Sequence, residues 1–197
     1  RVTKKVHELE MKFYPKIIEN ILNEIRTVLF NKVEQDKVDQ LIKEVLEAEK
    51  IVCCGAGRVG MAIRGFAMRL GHLGFNAYQL GDATVPSIGK KDLLIVASGS
   101  GETKTILDLV KIAKSNNSKI FLISGNPDSS MGVISNYVLQ ISAPSKTKEV
   151  EGLKSIQPMT SLNEQSLGIL FDAIVLEIME KTNETHDSMW NRHSNLE

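Results

Sequence analysis

From Lys50 onward the chain alternates short apolar runs with segments of helical spacing, and this alternation restricts the fold more than any other feature. The runs are rich in Ile, Val and Leu, which is typical of strands that are buried on both faces. Strands are predicted at 51–54, 77–80, 93–97, 120–123 and 137–141, with helices at 59–73, 103–115, 129–135 and 161–181. Strands that alternate with helices form a parallel sheet covered on both sides. We therefore predict an α/β fold with a five-stranded parallel sheet flanked by helices.

Residues 1–49 precede this pattern and have a different character. Apolar residues at helical spacing predict helices at 3–30 and 36–48, and Pro15 is expected to break or kink the first of them. Their apolar faces must cover either the core of the same subunit or a neighbouring subunit. We take 50–197 as one α/β domain, in which 142–157 is a predicted loop and the polar tail can hold a short last helix.

Composition excludes several classes of partner. Lysine plus arginine equals aspartate plus glutamate, with 24 of each, so no overall charge favours nucleic acid or an anionic membrane. No apolar run approaches the roughly 20 residues of a membrane span, and the first residues lack the core of a signal peptide.

The adjacent Cys53 and Cys54 would point to opposite faces of a strand, which argues against a disulfide between them. The four scattered histidines lack metal-ligand spacing. We expect a cytoplasmic protein without a metal.

The stretch from Asp92 to Thr105 carries the clearest functional signal. Its apolar run stops at Ser98, and hydroxyls then alternate with glycines up to the start of a helix. Glycines let successive N–H groups point at one spot near the positive end of a helix dipole. Ser98, Ser100 and Thr103 add hydroxyl donors there. The pattern predicts a pocket for a phosphate monoester, and the missing Gly-Lys-Ser/Thr ending argues against a nucleoside triphosphate.

The first glycine loop allows three interpretations. Gly55, Gly57 and Gly60 match the G-x-G-x-x-G dinucleotide fingerprint between a strand and a helix. The acidic partner for a ribose is poorly placed, since Asp82 lies beyond the end of the second strand. A small phosphorylated ligand between adjacent strand ends would explain both loops, with Gly55, Gly57 and Asp82 as candidate substrate-contacting residues. The glycines could also serve only to make turns.

Several motifs together resemble a known family. In chain order they are G-A-G-R-V-G, F-A-M-R-L-G-H-L-G, G-D-A-T-V-P, S-G-S-G-E-T, Q-P-M-T-S-L-N-E and R-H-S-N-L-E. From about Lys50 to Glu197 the chain resembles the 6-phospho-3-hexuloisomerases of the sugar isomerase (SIS) domain group. The resemblance implies a flavodoxin-like three-layer sandwich and a homotetramer built from dimers with shared active sites. It also implies conversion of 3-hexulose 6-phosphate to fructose 6-phosphate in formaldehyde fixation, without metal or organic cofactor.

The same resemblance assigns roles to individual residues. Ser98, Ser100 and Thr103 would hold the phosphate, and Arg58 would lie near the substrate. Glu164 would be the catalytic base, and His193 would complete the site of a neighbouring subunit. Without the resemblance, Arg58 has two interpretations, a surface ion pair by default or a cation close to the substrate, and its place at the carboxyl end of a strand favours the second. The default for His193 is a frayed, exposed tail.

Glu164 has two interpretations that the sequence alone leaves open. Shifting a carbonyl to the next carbon takes a proton from one carbon and returns it to the other, and one carboxylate can do both. A carboxylate in the first turn of a helix stays ionised readily. Yet Ser161-x-x-Glu164 is also a capping box, in which the glutamate only ties off the helix end.

Val59 departs from the family pattern, which has serine at this position. A lost hydroxyl removes about 0.5–1.5 kcal/mol of hydrogen bonding and puts the identity of the sugar phosphate in doubt. Two further hypotheses therefore stay open beside the isomerase. One is a phosphosugar-binding regulator without activity, and the other is a nicotinamide-dependent dehydrogenase, which rests on the glycine fingerprint alone.

Overall fold

The computed structural model describes the backbone of residues 2–144 and 150–196, and side chains from Tyr14 onward within those ranges. Five strands form one parallel sheet in the order β2-β1-β3-β4-β5. Their bounds are β1 Ile51–Gly55, β2 Ala77–Gln79, β3 Leu93–Ala97, β4 Lys119–Ser124 and β5 Tyr137–Gln140. This order is that of flavodoxin-like folds, and it confirms the predicted sheet.

Helices cover both faces of the sheet. Their bounds are α1 Val2–Asn31, α2 Gln35–Glu47, α3 Gly57–His72, α4 Lys104–Ser115, α5 Ser130–Ile134, α6 Ser161–Thr182 and α7 His186–Trp190. One face of the sheet packs against α1, α2, α3 and α6 in a large apolar core, and α4 and α5 cover the other face. Between α3 and α6 the rings of Phe66 and Phe171 stack with centroids 4.3 Å apart. The predicted three-layer arrangement is confirmed.

The adjacent cysteines show how the strand alternation divides the core. Cys53 contributes to the core on the α3 and α6 side, and Cys54 to the core on the α4 side. Both thiols are free and buried. Burial raises the pKa of Cys54 to about 11 and that of Cys53 further, so both thiols stay protonated and serve as apolar packing groups.

The expected break at Pro15 is wrong, because α1 continues through it as one helix of 30 residues. Proline removes one backbone hydrogen bond, and the turns on both sides keep theirs. Further along, Ile25 and Val28 of α1 are buried, and the helix packs against α6. The tertiary packing of this apolar face outweighs the local cost of the proline.

The predicted loop before α6 is irregular where the structure describes it, at 142–144 and 150–160. The short last helix that the sequence allowed in the polar tail is present as α7. No helix in the described ranges is both long and apolar enough to cross a bilayer.

Candidate active site

The switch point of the sheet holds a cavity of about 330 Å³. The chain leaves β1 toward α3 and one edge of the sheet, and it leaves β3 toward α4 and the other edge. Ligands of open α/β sheets bind in the crevice that this divergence creates beyond the strand ends. The cavity is lined by Ala56, Arg58, Val59, Ala97, Ser98, Gly99, Ser100, Thr103, Met159, Thr160 and Glu164. The structure thus brings together five of the predicted site residues, namely Arg58, Ser98, Ser100, Thr103 and Glu164, and it places Val59 beside them.

The loop after β3 presents hydroxyl groups to this cavity. The Ser98 hydroxyl accepts a hydrogen bond from the Gly101 N–H at 3.1 Å, and the Ser100 hydroxyl accepts one from the Glu102 N–H at 3.2 Å. Each hydroxyl keeps a proton that it can donate. Thr103 is the N-cap of α4, but its side chain makes no capping bond. The loop is therefore held in shape while hydroxyls and a helix N-terminus face the cavity, which suits a phosphate.

Gly101 is required by the shape of this loop. Its φ is +67°, and a Cβ added there would come within 2.0 Å of the Ser129 hydroxyl oxygen. The loop is also tied to α5, because the Glu102 carboxylate accepts the Ser130 N–H at 2.6 Å. Hydrogen bonds from the Ser130 backbone and hydroxyl hold the pKa of Glu102 below its usual range. The phosphate-type loop is thus fixed against the α4 and α5 side of the sheet.

Glu164 faces the cavity and does not form the capping box, which was one of the two interpretations that the sequence left open. The N-cap of α6 is Thr160, and Ser161 is already the first helical residue. The Thr160 hydroxyl donates to Glu164 Oε1 at 2.7 Å. Oε2 lies 3.0 Å from Arg58 Nε as an ion pair, without the alignment of a hydrogen bond. Only 12% of the carboxyl side chain is exposed. The S-x-x-E pattern forms no capping box because the helix begins one residue earlier than a serine cap requires.

Arg58 spans the cavity from the first turn of α3 to the first turn of α6. Besides its ion pair with Glu164, its Nη1 donates to the Ser161 hydroxyl at 3.4 Å. The side chain is 60% exposed, so the guanidinium lies at the rim of the cavity, where its ion pair and its hydrogen bond hold it.

Two residues at the rim were not found from the sequence. Met159 has a φ of +60° and is 63% exposed, although it lines the cavity. A non-glycine residue in this conformation costs about 1 kcal/mol or more and is retained where the surroundings hold it. Thr160 follows it and bonds Glu164. No local pattern marks Met159, but a threonine directly before Ser161 was a visible alternative cap.

Close packing explains two glycines of the first loop, Gly55 and Gly60, and backbone conformation explains the third. A Cβ on Gly60 would lie 2.7 Å from the Gly55 carbonyl oxygen, and a Cβ on Gly55 would meet Ala97 and Ile63 at 3.1 Å. Gly57 has a φ of +60°, at the start of α3. Gly55 and Gly57 flank the lining residue Ala56. Asp82 pairs with Arg64 at 3.0 Å and is not among the residues that line the cavity.

His193 lies elsewhere in the subunit. Its ring is 5.1 Å from the rings of His72 and Trp190, beside a second cavity of about 660 Å³ between α3, α6 and α7. His72 ends α3, whereas Arg58 begins it. The tail is anchored there because Arg192 donates to the His72 carbonyl at 2.9 Å and pairs with Glu184 at 2.8 Å. The tail from 184 to 193 is therefore anchored to α3, although most of its residues are exposed.

Within the described ranges, no group of three or more His, Cys, Asp or Glu side chains is placed to hold a metal ion. The polar groups that line the site are hydroxyls, one carboxylate and one guanidinium.

The fold and this site define a class, that of α/β proteins with a loop of hydroxyls and glycines and a largely buried carboxylate at the switch point of a parallel sheet. The sequence model of the SIS domain matches residues 44–167. The chain belongs to the SIS domain family.

Individual relatives agree with this assignment. The chain is 37% identical over 180 residues to the 3-hexulose-6-phosphate isomerase of Bacillus subtilis, covering 91% of this chain and 97% of that protein. It is 35% identical over 166 residues to the 3-hexulose-6-phosphate isomerase of Mycobacterium gastri, and the match covers 84% of this chain and 83% of that protein. The crystal structure of a Methanococcus jannaschii protein, with an inferred molecular function of 3-hexulose-6-phosphate isomerase, matches with a TM-score of 0.80. That structure is 32% identical, and the match covers 91% of this chain and 98% of that one.

Proposed function

We propose that this chain is a sugar-phosphate isomerase that converts 3-hexulose 6-phosphate to fructose 6-phosphate. The observation that carries the proposal is that the Glu164 carboxylate and the Ser98–Thr103 loop share one cavity. The loop suits a phosphate, and the carboxylate can move a proton. The activity named for relatives that are 35–37% identical over most of the chain supports the same reaction.

The phosphate binds at the loop after β3. The hydroxyls of Ser98, Ser100 and Thr103 donate to its oxygens, together with backbone N–H groups at the start of α4. Because this anchor is fixed against the far layer of the molecule by Glu102 and Gly101, it keeps its shape before the substrate arrives. Carbons near the other end of the sugar then reach toward α6.

Glu164 moves the proton. The substrate carries its carbonyl at C3, and the product carries it at C2. The carboxylate takes the proton from C2, the electron pair forms the C2–C3 double bond of an enediol, and the same carboxyl returns a proton to C3. The hydrogen bond from Thr160 holds Oε1 and leaves Oε2, beside Arg58, as the atom that reacts.

Arg58 stabilises the charge that develops on the substrate oxygens. Its guanidinium lies 3.0 Å from the carboxylate that takes the proton, so it is already near the reacting carbons. As negative charge moves from Glu164 to the enediolate, the cation can follow it. His193 of a neighbouring subunit moves the proton between the two hydroxyl oxygens or opens the sugar ring, in a homotetramer with shared sites.

The test is turnover by the purified protein. Incubation with 3-hexulose 6-phosphate is expected to yield fructose 6-phosphate, and in D₂O the product is expected to gain deuterium at C3, because the carboxyl exchanges its proton with solvent. Glu164→Gln is expected to lose at least a hundredfold in kcat, while Glu180→Gln on the exposed side of α6 serves as the matched control. No product at high protein concentration, or full activity in Glu164→Gln, would refute the proposal.

The second candidate is a phosphosugar-binding regulator, and Val59 is the observation that favours it. Valine lines the cavity where a hydroxyl would donate to the ligand. Binding of fructose 6-phosphate without turnover, measured by calorimetry, would select the regulator over the enzyme.

A further inference from the structure

A carboxylate in α1 holds the segment that leads into the active site. Glu24 Oε1 accepts the Ile156 N–H at 2.7 Å, and its Oε2 accepts the Ser155 hydroxyl at 2.7 Å and the Gln157 side-chain amide at 3.0 Å. One side chain therefore fixes three consecutive residues that lie more than 130 positions later in the chain.

The fixed segment continues directly into the catalytic end of the cavity. Two residues after Gln157 comes Met159, which is held at a φ of +60° and lines the cavity. Thr160 follows, caps α6 and donates to Glu164. The backbone path from the contacts of Glu24 to the residue that orients the carboxylate is only three residues long.

The rest of α1 does not need this contact for packing. The helix is held on the core by apolar side chains, among them the buried Ile25 and Val28. Glu24 is half-buried, and burial acts to raise its pKa, but the hydrogen bonds from Ile156, Gln157 and Ser155 outweigh it and hold the pKa below its usual range. The carboxylate stays ionised at neutral pH and accepts all three bonds as a charged group, which makes them stronger than neutral ones.

We propose that Glu24 is a positioning residue for the isomerase reaction. It fixes 155–157 so that Met159 and Thr160 hold Glu164 at the reacting carbons. The inference rests on the proposed function for its kinetic consequence. It assigns part of the active site to α1, which lies outside the stretch 44–167 that the SIS domain model matches.

The kinetic test compares Glu24→Ala and Glu24→Gln with Glu19→Ala, an exposed residue of the same helix. Because a displacement of about 1 Å at the reacting group can cost up to a hundredfold, Glu24→Ala is expected to lower kcat at least tenfold. KM is expected to stay within about twofold, since the phosphate loop is anchored on the other face of the sheet. Glu24→Gln keeps one acceptor for the Ile156 N–H and is expected to restore part of kcat. Glu19→Ala is expected to behave like the unsubstituted protein.

A second measurement does not depend on turnover. In Glu24→Ala, amide hydrogen exchange is expected to quicken from Ile156 through Glu164, and not only at Ile156, while the rest of α6 stays protected. Unchanged kcat, or faster exchange confined to 155–157, would overturn the proposal. If the unsubstituted protein does not turn over 3-hexulose 6-phosphate, the proposed function fails, and the exchange pattern still decides whether Glu24 controls the position of Glu164.

Discussion

Glu164 and His193 cannot serve the same cavity from one subunit, and this makes subunit complementation a sharp prediction. Arg58, beside Glu164, and His72, beside His193, are separated by fourteen residues of α3. At ~1.5 Å per residue the two ends of this helix are about 21 Å apart. If both residues act in catalysis, each site must combine Glu164 of one subunit with His193 of another.

The expected recovery follows from counting sites. Glu164→Gln and His193→Ala are each expected to be inactive alone. When they assemble at random in equal amounts, half of the sites carry an intact Glu164, and half of those receive an intact His193 from the neighbour. About a quarter of all sites are then complete, whether the subunits form dimers or larger closed rings.

The assay is the rate of fructose 6-phosphate formation by the co-expressed variants at saturating substrate. A specific activity near one quarter of the unsubstituted protein supports shared sites. No recovery in the mixed assembly, with both variants folded, would refute the sharing. Full activity of His193→Ala alone would remove the histidine from the mechanism.

Three other changes test the loop, the pocket and the tail. Gly101→Ala is expected to lower the free energy of unfolding by about 1–3 kcal/mol, because its φ of +67° is strained for alanine. Gly65→Ala, at an open position in α3, is the control and is expected to raise stability by about 0.5–1 kcal/mol in thermal unfolding. Val59→Ser is expected to lower the KM for the sugar phosphate about two- to tenfold, and an unchanged KM would show that no ligand oxygen is in reach. The pair with Arg192 lowers the pKa of Glu184 from 4.5 to about 2, so the tail is expected to stay anchored above pH 4.5 and to come loose as the pH falls toward 2. Tryptophan fluorescence of Trp190 follows this release, and Glu184→Gln should abolish the transition.

The pattern of the sequence was sufficient to predict the sheet because each strand is a short apolar run between helices. All five predicted strands are present, and each end lies within one residue of the prediction. Their parallel pairing follows from the intervening helices. Pro15 shows where local rules fail, because propensity describes an isolated helix, whereas α1 is held by its contacts with α6.

The place of the Ser98–Thr103 loop at the cavity was predictable because its signal is local, with hydroxyls, glycines and a helix start in one run of residues. The α6 side of the cavity was only partly predictable. Glu164 does line the cavity, but its environment depends on Arg58, which is more than a hundred positions away, and on the helix start at Thr160. No pattern within a short window reports such contacts. The anchoring of the tail on α3 through Arg192 was missed for the same reason.

The two ends of the cavity are held by different layers of the molecule. Glu102 and Gly101 fix the phosphate loop to α5 on one side of the sheet, whereas Glu164 belongs to α6 on the other side. Changes to α6 or to its preceding segment can therefore displace the carboxylate while the anchor keeps its shape. We therefore expect the kcat of this chain to respond to changes around Glu24 and Thr160 well before its affinity for the sugar phosphate does, because these changes lie on the α6 side of the cavity and not on the side of the hydroxyl loop.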